Sequence, residues 1–104
     1  MGQAIDIAAV RADLTARITA LDVRAPYAGA AQIAADLDMI RRIAHAAGLD
    51  PVVTVTHFLC TVLARGNGSI HGWLSLLVDA VAAESSDLAT CDVFAAACSV
   101  RLAA

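Results

Sequence analysis

The chain has 104 residues, 60% apolar and 16% charged, with a formal net charge of −3; this is the length of one domain and too apolar for intrinsic disorder. Three cysteines are too few, and odd in number, for a disulfide scaffold. Every apolar run stops short of the roughly 18 residues that a membrane-spanning helix needs, and no cationic start leads into an apolar leader, so a cytoplasmic protein is expected.

All seven cations are Arg, Glu84 is the sole Glu, and 25 residues are Ala. That usage points to a GC-rich bacterial genome. The acidic balance argues against nucleic acid as a partner, because phosphate neutralisation requires a clustered basic surface and Arg41–Arg42 is the only adjacent pair.

Apolar residues recur at helical spacing along nearly the whole chain, which predicts an all-α protein. A first helix is expected from Ala4 to Leu21, with Ile7, Val10, Leu14, Ile18 and Leu21 facing inward. Pro26 breaks the pattern. A second helix is expected from Tyr27 to Ala47 on the stripe Ile33, Leu37, Ile40, Ala44 and Ala47, and Gly48 stops it.

Asp50 followed by Pro51 has the form of a capped helix start. The third helix, over Pro51 to Ala64, is apolar around most of its circumference, with Thr54, His57, Thr61 and Arg65 as one narrow polar seam. That pattern predicts a central helix packed on several sides. Arg65-Gly66-Asn67-Gly68-Ser69 is a strong turn, after which Ser69 is expected to cap a fourth helix reaching Ala83. Its inward residues are Ile70, Trp73, Leu74, Leu77 and Val81. Glu84-Ser85-Ser86-Asp87 separates a fifth helix with Leu88, Cys91, Ala95, Cys98 and Leu102 on one side. The prediction is a single-domain compact bundle of about five short helices spanning residues 1–104.

Several side-chain patterns resemble chemistry. His71, Ser75 and Asp79 are the residue types of a hydrolase triad, but Ser75 lies between the other two. His71 and Asp79 are separated by about 12 Å of helix axis, too far for that carboxylate to orient the imidazole. Arg65, Gly66, Gly68, Ser69 and His71 gather at a helix start, where free amides attract an anion; the loop matches no phosphate-binding motif. His57, Cys60, Cys91 and Cys98 lack the paired short spacing of a metal site, and the three thiols read as small buried apolar filler. No pattern requires a cofactor. Trp73 and Phe58 mark a place where a bundle interior could hold a small molecule.

His45 follows Asp38, Arg41 and Arg42 on the outward side of the second helix. The run Ala44-His45-Ala46-Ala47-Gly48 resembles the motif of His-phosphotransfer domains, although the Lys after the His is absent and the Gly falls one position early. That resemblance implies a phosphoacceptor role for His45. The segment Ile43–Leu59 is similar to a helix-turn-helix, yet its second helix offers no Arg, Lys, Asn or Gln for base edges before Arg65.

The feature that stands out is an excess of apolar side chains for so short a chain. The expectation is a non-catalytic, homodimeric or larger protein–protein interaction or regulatory module, with helix faces shared between copies.

Overall fold

The computed structural model describes residues 6–66, 70–83 and 87–103. Among them the chain forms five α-helices and no strand: α1 (Ile7–Arg24), α2 (Ala30–Ala46), α3 (Asp50–Arg65), α4 (His71–Ala82) and α5 (Leu88–Ala103). The all-α prediction holds.

Asp6 takes an extended conformation and its carboxylate accepts from the Ala9 amide at 3.2 Å, so the described part of α1 begins at Ile7. Ala4 and Ile5, where the start was expected, lie outside the described residues. The helix also runs past Leu21 to Arg24 and tightens into a 3-10 turn over Ala25–Tyr27, which contains Pro26. The second helix consequently starts at Ala30, not Tyr27. Ala28 and Gly29 are extended, and the Gly29 carbonyl accepts from the amides of Gln32 and Ile33.

Gly48 ends α2 as expected, with φ +73°. Its amide donates to the His45 carbonyl and the Leu49 amide to that of Ala44 at 2.9 Å, the double closure in which a left-handed residue satisfies the last carbonyls. This turn pushes Leu49 into the core, so Leu49 and not Asp50 occupies the cap position of α3. Asp50 becomes the first helical residue, where its charge still complements the helix dipole. Gly66 closes α3 at φ +67°. On α4 the cap position belongs to Ile70, whose carbonyl accepts from Leu74; Ser69, the expected cap, lies outside the described residues. Asp87 caps α5 by accepting from the Thr90 amide at 2.8 Å.

The first four helices pack in a ring, α1 on α2, α2 on α3, α3 on α4 and α4 back on α1, and α5 lies outside the ring on α3. The third helix thus meets α2, α4 and α5, the central position its all-round apolarity predicts. Leu14, Ile18 and Leu21 of α1, Ile33, Leu37, Ile40 and Ala44 of α2, and Trp73, Leu74, Leu77 and Val81 of α4 are buried as read from the sequence; Ile7, Val10 and Ala47 are only half-buried, and Leu76 and Ala80 of α4, not read as inward, are buried as well. Thr56, the buried polar side chain of the core, is satisfied inside its own helix, its hydroxyl lying 3.0 Å from the Val52 carbonyl and 2.9 Å from that of Val53. Arg11 reaches from α1 to the end of α4 and donates to the Ala83 carbonyl at 2.9 Å.

One inward assignment fails. Leu88 was placed with Cys91, Ala95, Cys98 and Leu102, but it is 77% exposed. The fifth helix has α3 as its main partner and sits at the margin of the core, burying Cys98 with Phe94, Ala97 and Leu102 half-buried beside it. Its first residue projects past that contact. The assembly measures 45 × 29 × 17 Å, a slab about two helices thick.

Candidate functional site

The fold sorts the sequence candidates into three places. The first is the junction of α1 and α4. His71, the first residue of α4, turns its imidazole toward α1, with Nδ1 2.9 and 3.0 Å from the two carboxylate oxygens of Asp22. Asp79, two turns further along α4, is not the carboxylate that holds it. Two shallow clefts of about 250 Å³ each meet at this pair. Ile18, Leu74 and Val78 floor one, with Thr19, Ser75 and Asp79 at its rim. Each is below the ~300–1,000 Å³ of a small-molecule site, and the His71 side chain is 75% exposed. Trp73 is buried in the core, and neither it nor Phe58 lines these clefts.

Of the expected anion site, Gly68 and Ser69 lie outside the described residues. Arg65 is exposed at the end of α3 and Gly66 caps that helix, while His71 already faces the Asp22 carboxylate. That negative charge repels an anion approaching the imidazole.

The second place is the outer side of α2. His45 is exposed in the last turn. Arg41 and Arg42, the cations on which a phosphoimidazole would draw, both turn to Asp38, at 2.8 and 2.9 Å. The Arg41 hydrogen bond holds the Asp38 carboxyl below the usual carboxylate range; desolvation opposes it, and the charges of Arg42 and Arg41 assist. The neighbouring helix-turn-helix segment, Ile43–Leu59, ends in α3. Pro51, Val52, Val55, Thr56 and Leu59 are buried there, and within the segment's second helix Asp50 and His57 are the exposed residues. A recognition helix needs one whole face clear of its own domain to enter a groove.

The cysteines do not converge, and among the described residues no group of three or more His, Cys, Asp or Glu side chains is placed to hold a metal ion. All three are free thiols, but only Cys98 is the buried filler expected; Cys91 is half-buried, and Cys60 is exposed because it lies on the side of α3 away from its buried residues. Burial pushes the thiols of Cys60 and Cys98 above the ordinary value.

The third place was not singled out in the sequence. On the side of α5 turned away from α3, Ala89, Val93, Ala96 and Val100 are all exposed, Val93 at 68% and Val100 at 70%. Leu88 flanks them. The spacing of four, three and four residues puts the four on one line along the helix. The signal was present in the sequence but was masked by α5 being apolar on both sides.

No helix among the described residues is long and apolar enough to cross a membrane. Comparison of the chain with protein-family models, with curated proteins and with solved structures finds no match.

Proposed function

We propose that the chain is a small helical interaction module that acts as a homodimer through the outer face of α5, by apolar contact and not by chemistry in a pocket. The observation that carries this reading is the exposed line Ala89–Val93–Ala96–Val100. On that line Val93 and Val100 leave on the order of 200 Å² in water, about a quarter of the ~800 Å² that each partner brings to a standard interface, so the contact is a small one. The accessible surface points the same way. It is 6034 Å² for a chain of 10.7 kDa, whereas size scaling gives a compact monomer of that mass about 5,500 Å². A slab 17 Å thick keeps more side chains wet than a sphere does.

A reducing bacterial cytoplasm suits three unpaired thiols, and we place the protein there. A regulatory role fits a module whose association responds to concentration. Sedimentation velocity across the micromolar range tests the proposal. A concentration-dependent dimer is expected, with Val93→Asp shifting the protein to monomer at unchanged helicity. A monomer at the highest concentration, with no change on substitution, overturns it.

A further inference from the structure

We propose that the outer seam of α1 and α4 binds a long-chain carboxylate, the anion of a free fatty acid, with its head at Arg11 and its chain along the groove between the two helices. The inference is independent of self-association through α5, no residue of which lines this groove.

Two packed helices leave a groove where the side chains along their seam are small. Here Ala12, Ala16 and Ala82 are exposed along it, and Val81 is buried beneath them with Val78 half-buried beside it. The space measures about 510 Å³, twice that of either cleft at His71 and inside the ~300–1,000 Å³ of small-molecule sites. Val78 also floors the adjoining cleft, together with Ile18 and Leu74, so the apolar surface continues along the seam. From Arg11 to Thr19 the seam covers about 12 Å of helix axis. A straight, narrow apolar track of that length suits an extended hydrocarbon chain and not a compact ring.

Arg11 closes one end of the groove and selects the head group. It is half-buried; its Nη2 donates to the Ala83 carbonyl at 2.9 Å, and its Nε is shut off from water with no acceptor. A buried donor left unpaired is costly, the more so on a cation. Arg17, Arg24, Arg41 and Arg42 each hold an aspartate, whereas among the described residues no carboxylate lies within ion-pair distance of Arg11. A ligand carboxylate at this end supplies both the missing acceptor and the missing charge. A small turn of the guanidinium offers it Nε and one Nη together, the two-point pairing that arginine makes with a carboxylate.

The opposite end fixes the direction. Asp22 and Asp79 border the adjoining cleft, and their negative charge keeps a second anion away, so the chain lies with its methyl end toward Ser75. The two parts of the ligand depend on each other. One ion pair near a surface gives little affinity by itself, and the apolar walls add the burial of methylenes. A small inorganic anion gains only the first part and an uncharged alcohol only the second.

Amide NMR titration with decanoate, below the concentration at which it forms micelles, tests the proposal. Saturable shifts are expected in the high-micromolar range, confined to residues 11–19 and 74–83. Decanol and octanoate should both bind more weakly, octanoate because each methylene removed from the groove weakens binding about two- to fourfold. Arg11→Gln should weaken decanoate about tenfold or more and leave decanol unchanged. Because Arg11→Gln also removes the bond to Ala83, a second variant guards the test: Ala16→Phe fills the groove from an exposed position and should abolish binding of both ligands. Circular dichroism confirms that each variant stays helical. Shifts that never saturate through the millimolar range, shifts centred on other helices, decanol binding as tightly as decanoate, or decanoate binding that survives Ala16→Phe each overturn the inference, and none of them bears on self-association through α5.

Discussion

Nδ1 of His71 and the carboxylate of Asp22, 49 residues apart in the chain, lie 2.9 Å from each other and pin the start of α4 to the last turns of α1. The His71 side chain is largely in water and Asp22 is about one-third exposed, so the contact orients two helices more than it holds them. A double-mutant cycle with His71→Ala and Asp22→Asn is expected to give a coupling of about 0.2–1 kcal/mol at low salt. Where the imidazole is protonated the contact is also an ion pair, and about 1 M salt, with a screening length of ~3 Å, should weaken that charge–charge part of the coupling. Chemical denaturation of the four proteins measures it. A coupling above about 2 kcal/mol, insensitive to salt, would contradict a surface role.

One leucine of α3 and one of α5 separate core from margin. Leu59 is fully buried on the central helix, and Leu88 stands in water at the start of α5. Leu59→Ala removes packing on a helix held from several sides, and a loss of about 2–5 kcal/mol is expected. Leu88→Ala, measured at dilution where copies are apart, should cost less than about 0.5 kcal/mol. Urea denaturation at low protein concentration compares them. A Leu88→Ala loss near that of Leu59→Ala would mean that this side chain enters the core.

These contrasts mark what the sequence made legible. The inner stripes of α1, α2 and α4 could be read because each helix has one wet side, which leaves a clear 3.6-residue rhythm. Gly48 and Gly66 were legible as stops because a left-handed residue at a helix end favours glycine. Leu88 was misplaced because periodicity gives the side of α5 that meets α3 but not how far along the helix that contact extends, and its first residue projects past it. Asp50 was taken for the cap on residue type, whereas the closure around Gly48 drives the apolar Leu49 into that position. The Asp22–His71 pair lay beyond reach, since local spacing carries no information about side chains 49 residues apart.

The cysteines offer a probe of the same geometry. Partial burial raises the Cys60 thiol, with Arg41 pulling it down and Asp38 adding to the rise; burial also raises Cys98, with Arg101 opposing. The thiolate is the reactive form, so both react more slowly near neutral pH than an ordinary exposed thiol. Cys60 is exposed and Cys98 is sealed in the core. Titration of the native protein with a disulfide reagent is therefore expected to modify Cys60 well before Cys98. The Cys60 rate should still be climbing at alkaline pH where a free thiol has already levelled off. Cys98 should react only as fast as the chain opens, accelerating in urea. Equal rates for the two in the native state would place α5 off α3.

Asp38 supplies the pH test. Its carboxyl titrates below the usual range, chiefly through the hydrogen bond from Arg41, with desolvation acting against it and the charges of Arg42 and Arg41 acting with it. Because the folded value is depressed relative to the unfolded one, the ionised group favours folding. That contribution is complete above the ordinary carboxylate range and is lost as the pH falls through the lowered folded value. Asp38→Asn should therefore lower the melting temperature slightly at neutral pH, and the difference from the unaltered chain should close on acidification. Carboxyl NMR titration is expected to place the Asp38 midpoint below those of unpaired aspartates in the same protein. Arg41→Gln should move that midpoint up further than Arg42→Gln does, since only the Arg41 partnership leads the shift. A midpoint that ignores both substitutions would mean that the two arginines are not held by Asp38, leaving their charge available to the exposed His45 one turn away on α2.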